Sequence, residues 1–148
     1  MSNTSITALN MLYQHISRSV LVTDAKKPNG KLCKYQRPLN SLLEDVVINS
    51  LGLNREDVQE GVLNVNIYVP NIDYSKIPDH PQKADKTQPD TARLTYLLNL
   101  ANIALGEGEE IWEATGNYCF ELQQDNLFED ENNQHYLNLR VEFNSTNN

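Results

Sequence analysis

The sequence predicts an α+β domain in which a single, mostly antiparallel sheet of about four to five strands packs against two helices. Three observations predict it. From Val62 to Val69 the apolar residues Leu63, Val65, Ile67 and Val69 alternate with Asn64, Asn66 and Tyr68, the period of a half-buried strand. Apolar residues at three- and four-residue spacing mark a helix near the start and another in the second half. Two more alternating segments close the chain.

Ile6, Leu9, Leu12, Tyr13, Ile16 and Val20 form one stripe, so the spacing predicts a helix from Ser5 to about Val22, with Thr4 or Ser5 as its cap. Asp24 to Gly30 contains Pro28-Asn29-Gly30 and reads as a turn or exposed hairpin tip, since Asn-Gly tolerates positive φ. Leu32 to Arg37 alternates weakly and fits a strand that Pro38 would limit. Glu44 to Leu51 carries the β-branched cluster Val46, Val47 and Ile48, and periodicity leaves residues 32–51 open between strand and helix. Asn54 to Asp57 is polar enough for a turn. Pro70 removes a backbone donor, so the strand from Val62 should end there.

From Asn71 to Asp90 the chain carries Pro78, Pro81 and Pro89 with little apolar content. Connections in compact domains are usually far shorter. Fully extended, about 18 residues reach at most roughly 60 Å, whereas a domain of this size is about 35 to 40 Å across, so the loop is long enough to reach a neighbouring subunit. Asp90 then caps a helix from Thr91 to Leu105, with Leu94, Leu97, Leu98, Ala101, Ala104 and Leu105 on one stripe and Gly106 ending it. Residues 117–123 and 135–143 alternate as strands, and the loop from Gln124 to Gln134 is expected to be too long for a tight hairpin.

At 148 residues the chain is expected to be one domain, 1–148, with long excursions at about 23–41 and 71–90. It is 39% hydrophobic and 22% charged, and it lacks the apolar run of about 18 residues that would span a bilayer. No basic region followed by an apolar segment opens it, which predicts cytoplasmic folding and reduced Cys33 and Cys119. The net charge of −8 argues against nucleic-acid backbones and anionic membranes as partners. The charge is lopsided. Arg18, Lys26, Lys27, Lys31, Lys34 and Arg37 face only Asp24 over residues 18–37, whereas from Ala101 onward the acids, Glu129, Asp130 and Glu131 among them, face only Arg140. Such runs are either solvated loops or self-complementary surfaces, the basic segment of one subunit meeting the acidic segment of the next. Lys26, Lys27, Lys31, Lys34, Arg37, Glu129, Asp130 and Glu131 are therefore the candidate interface residues.

Catalysis should leave a constellation of side chains, and the usual ones are missing from the sequence. There is no Gly-x-Ser-x-Gly elbow, and Gly106-Glu-Gly108-Glu-Glu would repel a phosphate. His15, His80 and His135 have no metal-ligand spacing. Residues Asp125 to Glu131 lack the glycine and alternate ligands of a calcium loop. Neither a catalytic residue, a metal ligand nor a cofactor is expected, and the chain does not read as an enzyme.

The element order is carried by Ile6 to Val20, Leu63-Asn-Val-Asn-Ile-Tyr-Val-Pro70, Leu94 to Leu105, Tyr118 to Leu122 and Leu137 to Phe143. It resembles that of the tail terminator proteins of long-tailed bacteriophages. The resemblance covers most of the chain as a pattern of elements rather than a residue signature. It implies a structural virion protein, from a phage or prophage, that forms a ring, commonly of six, on the end of the tail tube and meets the head connector. The implied partners are a second copy, tail tube protein and head-tail connector proteins, and the implied location is the bacterial cytoplasm during assembly and then the virion tail. The segments 24–37 and 71–90 are longer than the plainest members need, which suggests subunit-clasping arms or a different neck or tail-completion protein. The competing expectation is a non-phage binding module that holds a peptide or small ligand on its sheet face or on the loop 71–90.

Overall fold

Thr4 starts the first helix, α1 (Ser5–Ser17), through a reciprocal cap: its hydroxyl accepts from the Thr7 backbone N–H, and the Thr7 hydroxyl accepts from the Thr4 N–H. The stripe expected to run on to Val22 breaks at Arg18 and Ser19, where the Ser19 hydroxyl donates to the Ile16 carbonyl at 2.7 Å. A separate turn of helix, α2 (Val20–Thr23), follows and buries Leu21. In the computed structural model, which describes residues 3–146, the remaining elements are β1 (Leu32–Lys34), β2 (Val46–Leu53), β3 (Val58–Pro70), α3 (Thr91–Ala104), β4 (Ile111–Trp112), β5 (Tyr118–Asp130) and β6 (Gln134–Thr146).

The sheet corrects the expected architecture. It has six strands in the order β1-β2-β3-β6-β5-β4, is mixed because β1 runs parallel to β2, and curls into a half-barrel with three helices rather than two. Residues 32–51, open between helix and strand, form two strands that pair with each other, Leu32 opposite Val46 and Lys34 opposite Ile48. The parallel pairing follows from the long excursion between them, which lets the chain re-enter the sheet in the same direction. The second correction concerns the end of the chain. β5 runs on to Asp130, and only Glu131, Asn132 and Asn133 separate it from β6. Asn132 and Asn133 both take positive φ, 64° and 58°, a conformation that asparagine tolerates better than most residues, so the acidic stretch is a tight hairpin rather than a loop.

The centre of the sheet is the β3–β6 pair, in continuous antiparallel register from Val58 opposite Thr146 to Pro70 opposite Gln134. The strand ends at Pro70, as the missing donor requires. One face carries Leu63, Val65, Ile67 and Val69 from β3 and Leu137, Leu139, Val141 and Phe143 from β6, and it packs with Leu9, Leu12 and Ile16 of α1 and Leu97 and Ala101 of α3. Each such side chain taken from water stabilises the fold by roughly 1.5–3 kcal/mol. Asp90 caps α3 by accepting from the Arg93 N–H at 3.1 Å, and Gly106 leaves the helix at φ +94°. The opposite face is polar, with the Asn138 amide donating to Asn66 at 2.7 Å and the Asn64 amide donating to Asn49 at 3.2 Å.

The excursion after Pro70 is closed at its neck. The Ile72 N–H donates to the Gln88 carbonyl at 3.0 Å and the Asn71 amide to the Lys86 carbonyl at 2.8 Å, so the intervening residues form a surface loop with adjacent ends. Inside it, Asp73 caps a short 3-10 helix at Tyr74–Lys76, and His80 stacks on Tyr74 with centroids 4.2 Å apart. The loop is therefore closed at its neck rather than an open arm.

Candidate functional site

The basic segment and the acidic hairpin meet within one chain, and the meeting is organised by two residues that charge counting passed over, Glu44 and Asp45. Asp45 is fully buried and Glu44 nearly so, at 6% exposure. A buried carboxylate needs partners, and both have them. Arg37 donates from Nε to Asp45 at 2.9 Å, and the Lys31 N–H donates to the same carboxylate at 2.9 Å. Burial alone would raise the Asp45 carboxyl, but donation from Ser41, from the Lys31 N–H and from Arg37 outweighs it and holds the group below its ordinary value. Arg93 of α3 grips Glu44 with two bonds of 2.8 Å and also donates to the Lys26 and Lys27 carbonyls at 2.9 and 3.0 Å. The excursion 24–45 is thereby fastened to the helix layer.

The tip of that excursion is as tightly fitted as its base. Asn29 exchanges bonds with Glu44, donating its N–H to the carboxylate and accepting the Glu44 N–H on its side-chain oxygen. A Cβ added at Gly30 would sit 2.4 Å from the Asp45 carboxylate and 2.5 Å from the Asp45 backbone nitrogen, so glycine is required by the close approach of two backbones rather than by a positive φ. The turn at residues 28–30 is not an exposed hairpin tip, because Pro28 is buried.

Arg37 then reaches across to the hairpin. Its Nη2 donates to Gln134 at 3.0 Å and to the Ser41 and Leu43 carbonyls at 3.1 and 2.9 Å, Nη1 lies 3.9 Å from Asp130, and the guanidinium lies 4.1 Å from the Tyr68 ring centroid. Tyr68 stacks on Tyr136 at 5.1 Å and Tyr136 on Phe128 at 5.5 Å, an aromatic row that crosses the polar face of the sheet. Of the eight candidate interface residues, Arg37 and Asp130 are thus partners inside the subunit. Lys26 lies 5.9 Å from the Tyr96 ring and Lys34 4.7 Å from Tyr13, both with exposed side chains. Lys27, Lys31, Glu129 and Glu131 face solvent.

Because the backbone around Arg37 is so firmly held, the apolar residues beside it are displayed rather than loose. Leu39, Leu42 and Tyr35 are 87%, 60% and 50% exposed, and Leu127 and Phe128 of the adjoining hairpin are 46% and 44% exposed. Two depressions open on the polar face. One of about 400 Å³ lies between Tyr35 to Ser41 and Tyr68, and one of about 590 Å³ lies between Leu51 to Asn54, Gln123 and Arg140.

Each histidine has a local partner: His15 bonds the Ala104 carbonyl at 2.7 Å, His135 bonds Asn71 at 2.6 Å, and His80 stacks on Tyr74. Among the described residues, no three His, Cys, Asp or Glu side chains converge as a metal site would require. Cys33 and Cys119 are free thiols, and burial is the main cause that raises both above the ordinary thiol value, the opposite of an activated nucleophile. No described helix is long and apolar enough to cross a membrane.

What sequence reading missed here was Glu44, Asp45, Arg93 and Gln134. Glu44-Asp45 immediately before Val46-Val47-Ile48 was a visible signal, since an acidic pair abutting a buried run must be paired or desolvated at a cost. Gln134 and Arg93 gave no comparable sign. Compared with known proteins, the sequence matches no family model and no curated protein.

Proposed function

We propose that the chain is a structural subunit of a phage or prophage, of the tail terminator or head-tail completion type, that acts by assembling into a ring at the end of a tail tube. The observation that carries the assembly part is apolar exposure on a rigid support. Leu39 and Leu42 project from a loop whose Ser41 and Leu43 carbonyls are pinned by Arg37, which also ties the loop to the hairpin through Gln134. Apolar surface held in place marks an interaction site, since a monomer gains nothing from it. The ring itself, the tail tube contact and the connector contact rest on the resemblance of the element order. Sedimentation at low salt and high protein concentration, with and without tail tube protein, tests the reading. Concentration-dependent closed oligomers or capture by tube ends is expected, and a strict monomer that ignores the tube would overturn it.

The second reading is a binding module. Its support is the 590 Å³ depression lined by Gly52, Val62, Gln123, Arg140 and Glu142, whose lining mixes apolar and polar groups. It requires a monomer that stays monomeric and takes up a peptide or small ligand, so the same sedimentation run separates the two.

A further inference from the structure

The strand β5 is an unfinished edge. On one side it pairs with β6 from Tyr118 to Asp130, whereas on the other side β4 pairs only with Cys119 and Phe120. Among the described residues, Glu121 to Asp130 therefore presents an unpaired row of backbone donors and acceptors. Edges of that length are normally shortened, bent away or guarded by lysine or proline. This one has neither residue type; a bulge at Leu122/Gln124 and the acids Glu121, Asp125, Glu129 and Asp130 are what guard it, and its Leu127 and Phe128 are about half exposed on opposite faces of the strand. At the far end of the sheet the three-residue β1 is a second, shorter edge, with Leu32 and Lys34 on the helix side and Cys33 on the polar side; its Lys34 carbonyl already accepts from the Gln36 N–H at 2.8 Å.

We infer that β5 of one copy pairs with β1 of a second copy, so that the sheet continues from subunit to subunit in a head-to-tail contact. This inference deepens the assembly reading above and rests on it. Charge selects the partner. On the helix side β5 presents Asp125, Leu127 and Glu129, each opposite a residue of the buried face of β6, in an acid, apolar, acid pattern. Two β5 edges brought together would set these acids against one another, which opposes pairing. On the same side the β1 edge offers the complement, Leu32 to meet Leu127 and exposed Lys34 to meet Asp125 or Glu129 according to strand direction. Because the two edges differ and stand at opposite ends of the sheet, the contact is heterologous and propagates, closing into a ring when the rotation allows. Arg37 and Asp130 take no part, being partners inside each subunit.

The test is a charge swap on the full chain. One variant carries Asp125→Lys and Glu129→Lys on β5, and the other carries Lys34→Glu on β1. Each alone is expected to lose about a hundredfold or more in association constant, since like charges then meet across the contact. An equimolar mixture is expected to regain assemblies larger than a dimer, because each chain supplies the edge that the other lacks. As a second measurement that needs no charge change, Asn126→Cys or Phe128→Cys should form an oxidative cross-link to Cys33 of the neighbouring copy, lost on Cys33→Ser. A wild-type chain that assembles while the β1 variant assembles equally well, with no cross-link to Cys33, overturns the inference and leaves the assembly reading standing. A wild-type chain that is monomeric throughout overturns both.

Discussion

The centre of the sheet and the excursion that leads into it are held by different physics. Between β3 and β6 the two strands stay in register over their full length, and each alternate residue enters the core, so stability there is spread over many apolar side chains. Residues 24–45 contribute few core side chains and are fastened instead by two arginine–carboxylate clusters, Arg93 with Glu44 and Arg37 with Asp45. The comparison teaches that this chain carries a distributed anchor and a concentrated one. A distributed anchor loses stability in proportion to what is removed, whereas a concentrated one fails when a single partner goes and leaves the other charge unpaired.

The largest effect should come from the centre. Phe143 is fully buried and sits about 5.7 Å from both Tyr118 and Phe120, so Phe143→Ala is expected to cost about 4 kcal/mol in urea unfolding, through lost transfer energy and the cavity left behind. A loss below about 1 kcal/mol would mean that the core does not close on that ring. Asp45→Ala tests the concentrated anchor. It is expected to cost about 3 kcal/mol, because Arg37 and the Lys31 N–H lose their buried acceptor, and to expose residues 24–45 to proteolysis before the sheet unfolds.

The pH dependence sharpens the same contrast. The folded-state carboxyl of Asp45 lies below its unfolded value, so its contribution is fully present above the unfolded pKa of about 3.9 and is lost as the pH falls through the folded pKa. Asp45→Asn should therefore remove part of the acid destabilisation that the wild type shows below about pH 4, while Phe143→Ala should leave that slope unchanged. Equal acid slopes in wild type and Asp45→Asn would place the linkage elsewhere. The smallest effect belongs to the hairpin turn: Asn133→Val puts a β-branched residue at φ 58° and is expected to cost about 1 kcal/mol, read as a shift in the urea midpoint at constant slope.

The two regions were unequally legible. Leu63 to Val69 and Leu137 to Phe143 were readable as strands because burial on one face imposes a period of two whatever the partner is. Thr4, Asp90 and Gly106 marked helix ends by chemistry confined to one turn. Residues 32–51 were not readable, since Val46, Val47 and Ile48 are all buried and a strand covered on both faces has no alternation. The length of β5 was hidden for the opposite reason: from Gln123 to Glu129 it is mostly exposed at the sheet edge, so nothing demanded apolar residues, and its bulge at Leu122/Gln124 shifts the pattern. Asn132 and Asn133, whose positive φ makes the turn, read in the sequence only as part of a long loop.

Of the candidate interface residues, the basic and acidic runs were visible as runs, but their use was not. The sequence by itself determined the α+β character, the two long helices, the central strands and the opposite charge of residues 18–37 and 101–148, because each depends on neighbours within a few residues. Only the tertiary structure decided that β1 lies parallel to β2, that Arg37 meets Asp130 and Gln134 within its own chain, and that β5 stands open at an edge. Local periodicity reports which face of a segment is buried. Strand order and the bond from Arg37 to Gln134, 97 positions away, depend on how the whole sheet closes.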